Sequence, residues 1–352
     1  MDRPNILSMT PEELTEWLRS LGEPAYRARQ LFGWMHKGAA WEEMTNLPAA
    51  LRQRLAAEAE YRIPHIEQKL VSAVDGTVKY LFSLADGECI ESVFMRYHHG
   101  NTLCISTQAG CRMGCRFCAS TIAGLSRNLS PSEMLGQIEA AQKDTGERVS
   151  NVVMMGIGEP LDNYENAVKF LRLVNDPDGI GIGYRHISLS TCGVVPGIRK
   201  LAEENMPITL SISLHAPTQE AREAIMPVAK KWKIDELLSA CRDYIGVTGR
   251  RVSFEYAMIS GVNDSTHDAE ALAKLLSGML CHVNLIPLND VKERSYQKSR
   301  AETVDAFVRT LEKRGVTATV RRRLGADINA SCGQLRRENL NGAKSAGKSE
   351  ET

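Results

Sequence analysis

The 352 residues carry 43 Lys+Arg and 43 Asp+Glu; net charge alone draws the chain to no polyanion, and the length allows one large core beside a smaller unit. Nine cysteines, an odd number spread along the chain, speak against a secreted disulfide framework and for reduced thiols with chemical or packing roles. Met1-Asp2-Arg3-Pro4 lacks a signal-peptide pattern, and no apolar run approaches the ~18 residues of a membrane helix, so a soluble, cytoplasmic protein is expected.

Residues 1–65 read as a small helical unit. Thr10-Pro11-Glu12-Glu13 is a capping box with proline at the first helical position, and it opens a helix to about Leu21. Apolar periodicity over 25–35 predicts a second. Residues 66–100 change texture: strands at 69–73, 78–84 and 89–95 around Asp75-Gly76 and Asp86-Gly87 predict a β-meander. Over 101–337 the pattern becomes strand–helix repeated, with strands at 102–106, 151–155, 186–191, 208–213, 252–258 and 282–287. Helices are expected at 131–143, behind the capping box Ser130-Pro131-Ser132-Glu133, and at 164–175, 198–204, 235–244 and 266–277. Six such units predict a parallel α/β barrel or partial barrel, followed by a helix at 301–314 and a strand at 317–322. The polar tail, 338–352, is expected to be disordered.

Barrel enzymes place their chemistry past the C-terminal ends of the strands. In this chain those ends lead to Cys111, Cys115 and Cys118, then Gly156-Ile157-Gly158-Glu159-Pro160, Ser190-Thr191, Ser213-Leu214-His215, Asn289 and finally Gly325 to Cys332. Cys111, Cys115 and Cys118 are spaced Cys-x3-Cys-x2-Cys. Three thiolates so close cannot complete a four-thiolate site, but they can hold three irons of a 4Fe-4S cluster and leave the fourth open. A structural zinc would want paired Cys-x2-Cys units and a fourth ligand, and no such pair lies nearby.

This segment resembles the cluster loop of the radical S-adenosylmethionine (SAM) superfamily, whose open iron binds the amino and carboxylate groups of SAM. Further stretches are Ile90-Glu91-Ser92-Val93, Cys104-Ile105-Ser106-Thr107-Gln108-Ala109-Gly110-Cys111, Met155 to Pro160, Ser211-Ile212-Ser213-Leu214-His215-Ala216-Pro217, Asn284-Leu285-Ile286-Pro287 and Asp327 to Leu335. With them the sequence resembles the RlmN/Cfr family of radical SAM methyltransferases, which modify an adenosine in large-subunit ribosomal RNA. Gly158-Glu159-Pro160 and Pro287 bring it nearer the branch that methylates adenine C2 than the branch that methylates C8.

The resemblance implies an α/β fold: a radical SAM partial (β/α)6 TIM-like barrel with an N-terminal helical RNA-binding accessory domain and a β-meander. It implies methylation of C2 of a 23S rRNA adenosine at the peptidyl-transferase centre, in naked or partly assembled rRNA, and of an adenosine beside the anticodon in tRNA; the alternative is C8 methylation. Cys111, Cys115 and Cys118 would hold the cluster; Gly158, Glu159, Ser190, Ser213, Leu214, His215 and Asn289 would bind SAM, with two SAM used per turnover. Cys332 would carry the methyl group, Glu91 would accept the C2 proton, and Cys104 would resolve the enzyme–RNA thioether through a transient Cys104–Cys332 disulfide. A monomer served by an external electron donor such as flavodoxin or ferredoxin is expected. Asn329, Ser331 and Cys192 stand where the family more often has Asp, Ala and Ser, and none removes a required group.

Charge adds a coarse expectation about RNA. Residues 1–104 carry 11 basic and 14 acidic side chains, and residues 230–337 carry 19 and 13. An RNA surface is therefore expected toward the C-terminal half. The basic clusters are Lys230-Lys231-Trp232-Lys233, Arg250-Arg251 and Arg321-Arg322-Arg323.

Overall fold

The computed structural model describes residues 3–288, 296–330 and 335–336. The Thr10 hydroxyl accepts the N–H of Glu13, whose carboxylate accepts that of Thr10, and this capping box starts α1 (Pro11–Ser20). After α2 (Tyr26–Met35) comes α3 (Ala49–Glu58), which has no counterpart in the sequence pattern. Only Leu51 and Leu55 of α3 are buried, too narrow a stripe to show as periodicity.

The meander is β1 (His65–Val71), β2 (Val78–Ser83) and β3 (Cys89–Met95), antiparallel throughout; β4 (Thr102–Cys104) pairs antiparallel with β3 and opens the barrel. A hairpin not foreseen from sequence follows, β5 (Gln108–Gly110) and β6 (Leu125–Asn128). Then come α4 (Pro131–Thr145), β7 (Asn151–Met154), α5 (Tyr164–Asn175), β8 (Ile187–Thr191), α6 (Val195–Glu203) and β9 (Thr209–Ser213). The second half adds α7 (Gln219–Ile225), α8 (Ile234–Thr248), β10 (Val252–Met258), α9 (Thr266–Leu275), β11 (Cys281–Pro287), α10 (Ala301–Lys313) and β12 (Ala318–Val320).

One ten-stranded sheet runs β1-β2-β3-β4-β7-β8-β9-β10-β11-β12. From β4 to β12 every pairing is parallel, so all these strands point their C-terminal ends to one face. The sheet does not close: β1 and β12 are its edges. The expected partial barrel is present, with β12 as a seventh parallel strand and the meander as an antiparallel wing. Leu31 and Phe32 of α2, Leu135 and Ile138 of α4, and Leu189, Leu210 and Phe254 of the barrel belong to one continuous apolar core. The helical unit is therefore seated on the barrel rather than tethered to it.

Candidate active site

The three cluster cysteines occupy a loop closed at its neck by the β5–β6 hairpin. The Cys111 N–H donates to Gly124 O at 2.9 Å. Gly110 has φ 88°, and a Cβ there would stand 2.0 Å from the same oxygen, so only glycine fits. Within the loop, Cys118 N–H donates to Cys115 O, and the Thr121 hydroxyl bonds to the carbonyls of both Cys115 and Cys118. Arg116 N–H reaches Ile225 O at the end of α7, and Arg112 forms an ion pair with Asp162.

All three thiols line one cavity of about 280 Å³ at the C-terminal face of the barrel. Burial first, and then the neighbouring thiols, push Cys115 far above the ordinary thiol range; burial raises Cys111 to about 12. Among the described residues no three His, Cys, Asp or Glu side chains converge as on a single metal ion.

Gly158, Glu159, Ser190, Ser213 and His215 line the same cavity. Gly158 has φ 113°, and a Cβ would meet Gln108 N and Cβ at 2.7 Å. Glycine is needed here first for packing of the turn after β7 against the cluster strand. Glu159 is 3% exposed; its carboxylate accepts N–H bonds from Leu161 (3.0 Å) and Cys192 (2.7 Å). Burial raises its carboxyl above the usual range, and its remaining lone pairs are available to an ammonium ligand. His215 has φ 58° and accepts the Ala257 N–H at Nδ1 (2.9 Å), which fixes a neutral ring with its proton on Nε2. Its edge packs on Phe117, 4.9 Å between centroids. Leu214 is not brought to the cavity: its side chain is in the core, its N–H donates to Glu255 O and its carbonyl accepts from Arg222. Asn289 lies outside the described residues.

A second cavity, of about 190 Å³, shares Met155, Ile286, Pro287 and Arg321 with the first. It bridges the open side of the barrel, with Val93, Met95 and Cys104 on one wall and Arg321 to Ala326, Asn329 and Ala330 on the other. Cys104 thus faces the segment leading to Cys332, which itself lies outside the described residues. Glu91 is 1% exposed. It pairs across the sheet with Leu81, two residues from the Val93–Cys104 pair, so it shares a sheet face with Cys104. Its carboxylate meets Lys79 Nζ at 3.2 Å and the Arg336 N–H at 2.7 Å.

Some participants were not singled out by the sequence. Gln108 donates to Asp162 and accepts the Glu159 N–H. Buried Arg222 holds the carbonyls of Cys192, Ser213 and Leu214, tying the ends of β8 and β9 together. Glu255 lines the first cavity and bonds to Ser253 and Asn284. Gln108 is part of a matched stretch, and a charged residue inside an apolar strand is the available signal for Glu255; Arg222, in the polar helix α7, carries no such signal.

Two family models match: the radical SAM superfamily over residues 105–276 and the ribosomal RNA large subunit methyltransferase N-terminal domain over residues 4–61. A crystal structure of a radical SAM methyltransferase from Sphaerobacter thermophilus superposes with a TM-score of 0.90 at 43% identity, covering 94% of this chain and 98% of that one. A probable dual-specificity RNA methyltransferase RlmN of Alkaliphilus oremlandii is 55% identical over 97% of this chain and 99% of its own length. The chain belongs to the RlmN family of radical SAM methyltransferases. A probable RlmN of Clostridium novyi, 51% identical over 95% of the chain and 98% of its own length, agrees. Radical SAM proteins hold a 4Fe-4S cluster and SAM, and three thiols lining one cavity with Glu159 fit both. Among the described residues no helix is long and apolar enough to cross a membrane.

Proposed function

We propose that this protein methylates C2 of adenosine in RNA, in 23S rRNA and beside the anticodon in tRNA. The observation that carries the reading is the pair of adjoining cavities, one lined by Cys111, Cys115, Cys118 and Glu159, the other by Cys104 and the segment leading to Cys332. Family membership supports the same assignment, since the relatives are named dual-specificity RNA methyltransferases.

Adenine C2 lies between two ring nitrogens and is electron-poor, so it does not attack a sulfonium methyl. When bound, the cluster and SAM supply a methyl group and a hydrogen-abstracting radical, with two SAM consumed per product and electrons from an external donor. The chain's own residues divide the remaining work. Cys332 receives the methyl on sulfur, a reaction suited to a thiolate. Glu91 takes the C2 proton. Cys104 then attacks the Cys332 sulfur. The S–C bond breaks with its electron pair on the methylene carbon, which takes up a proton to become the methyl group, and the Cys104–Cys332 disulfide left behind is reduced by an external thiol. Glu159 receives the ammonium of SAM, and His215 offers Nε2–H to the cavity. The unit at 4–61 helps grip folded RNA, and the enzyme works as a cytoplasmic monomer.

The test is anaerobic: reconstituted protein with SAM, reductant and unmodified 23S rRNA, followed by mass spectrometry of digested nucleosides. 2-Methyladenosine is expected; 8-methyladenosine would move the protein to the other branch, and unmodified RNA with SAM still cleaved would overturn the substrate. Cys332→Ala should abolish transfer, whereas Cys104→Ala should leave RNA covalently attached to the protein on a denaturing gel.

A further inference from the structure

Lys79 is a charged side chain inside an apolar strand, between Val78 and Tyr80, and it is 1% exposed. Burying an ammonium costs several kcal/mol unless it is paired and hydrogen-bonded. Both conditions are met. Its Nζ stands 3.2 Å from Glu91 Oε2 and donates to Asn329 O at 3.0 Å. Glu91 in turn accepts the Arg336 N–H through Oε1 at 2.7 Å. The Lys79–Glu91 pair therefore touches the C-terminal segment on both sides of Cys332.

Other contacts fasten that segment to the meander. Asp75 accepts the Gly325 N–H (2.8 Å), and Asp327 accepts from the Ser72 hydroxyl (2.6 Å) and the Ala73 N–H (2.9 Å). Arg336 donates to Cys89 O and Glu88, both at 2.7 Å. Fastening alone would not call for a buried ion pair, because apolar residues of similar volume serve a fold equally well or better. The pair makes sense if a carboxylate is wanted at that place.

We propose that Lys79 is a positioning residue for the transfer reaction: its ammonium orients the buried Glu91 carboxyl and pins the main chain at Asn329, on the segment that leads to Cys332. The inference rests on the reading of Glu91 and Cys332 given above. Among the described residues, the charged and titratable groups around Glu91 include Lys79 on β2, Cys89 on its own strand, Cys104 on the same face of β4, and Arg336 with its partner Glu88. Of these, Lys79 brings the cation to the carboxylate, since the Arg336 guanidinium is turned to Glu88 and Cys89 O.

The experiment compares wild type, Lys79→Met, Lys79→Arg and Glu91→Gln with reconstituted cluster, SAM, reductant and transcribed 23S rRNA. Release of 2-methyladenosine and protein–RNA cross-link are followed across the neutral pH range, normalised to the fraction of Cys332 found methylated by mass spectrometry. Lys79→Met should accumulate cross-linked RNA as Glu91→Gln does, with release slowed roughly 10²-fold, the scale of a lost general base. Lys79→Arg should restore most of the release. Wild-type release with no excess cross-link in Lys79→Met would overturn the proposal. Equal failure of Met and Arg with a lowered melting temperature would also overturn it, leaving Lys79 merely structural. Wild-type protein that cleaves SAM but methylates no adenosine would instead bring down the underlying reading of the site.

Discussion

His215 shows what the active face demands of one residue. Its backbone sits in the left-handed region, its carbonyl accepts from Asn263 Nδ2 at 2.7 Å, and its Nδ1 is committed to the Ala257 N–H. Protonating the ring would break that last bond inside an apolar wall. Burial, aided by Arg222, accordingly holds the imidazole down at about 3, against an ordinary value of 6.5. The unfolded chain therefore binds a proton that the folded chain refuses between those two values, so the stability that the neutral ring contributes is complete above 6.5 and is lost progressively as pH falls toward 3. In the apoprotein, urea unfolding one pH unit below the ordinary histidine value should find the wild type weakened by about 1.4 kcal/mol through this group. His215→Asn, which tolerates the left-handed backbone, should show an acid loss smaller by that amount. Equal acid losses in both proteins would mean that the ring is accessible to protons in the fold.

At the scale of elements, the parallel direction of the strands sorts the basic clusters by position. Arg250 and Arg251 precede β10 and so lie at the end opposite the cavities. Lys233 is paired with Glu223 at 2.6 Å, and Lys231 lies over the Trp232 ring. Arg321, Arg322 and Arg323 follow β12 at the active end and line the second cavity, with Arg322 and Arg323 exposed. Arg322→Gln with Arg323→Gln should reduce the salt-dependence slope of RNA binding by about one to two, as for one or two lost phosphate contacts. Arg250→Gln with Arg251→Gln should leave it unchanged; equal slopes in both pairs would place RNA elsewhere. The sequence named all three clusters but could not rank them, because rank depends on which strand end each occupies and what pairs with it. The seven parallel strands were legible from short apolar runs with helices between. The β5–β6 hairpin was not, because its strands are three and four residues long and its need for Gly110 arises only from the approach of Gly124. Lys79 escaped for a similar reason: a lone lysine in a strand reads as solvent-facing until the register sets Leu81 against Glu91 and Lys79 against Val93.

Over the whole molecule, the helical unit and the chemistry are joined through α4. The unit docks there by Asn5 Nδ2 to Ser132 Oγ (2.8 Å) and Ser132 N–H to Ser8 Oγ (3.0 Å), and Lys169 of α5 pairs with Glu13 of α1. One turn deeper in α4, Gln137 bonds to Ser106 and Ser92, which flank Glu91 and the cluster strand. Between these layers stands a buried pair: His36, just past α2, and Glu139 of α4, both side chains fully inaccessible and 3.6 Å apart. Burial raises the Glu139 carboxyl, with His36 opposing it. Leu31, Phe32 and Met35 already supply apolar contact at this seam, so the pair is not needed for burial; its effect is to make the seam intolerant of one-sided change. Either His36→Phe or Glu139→Met alone should therefore lower stability by about 1–3 kcal/mol, the cost of leaving one buried polar partner uncompensated, and the double variant should recover most of that loss. Urea unfolding of the three variants measures the coupling directly. Additive losses would mean that the two side chains do not sense each other, and that the helical unit is seated by its apolar contacts and the hydrogen bonds of Asn5, Ser8 and Glu13 without help from this pair.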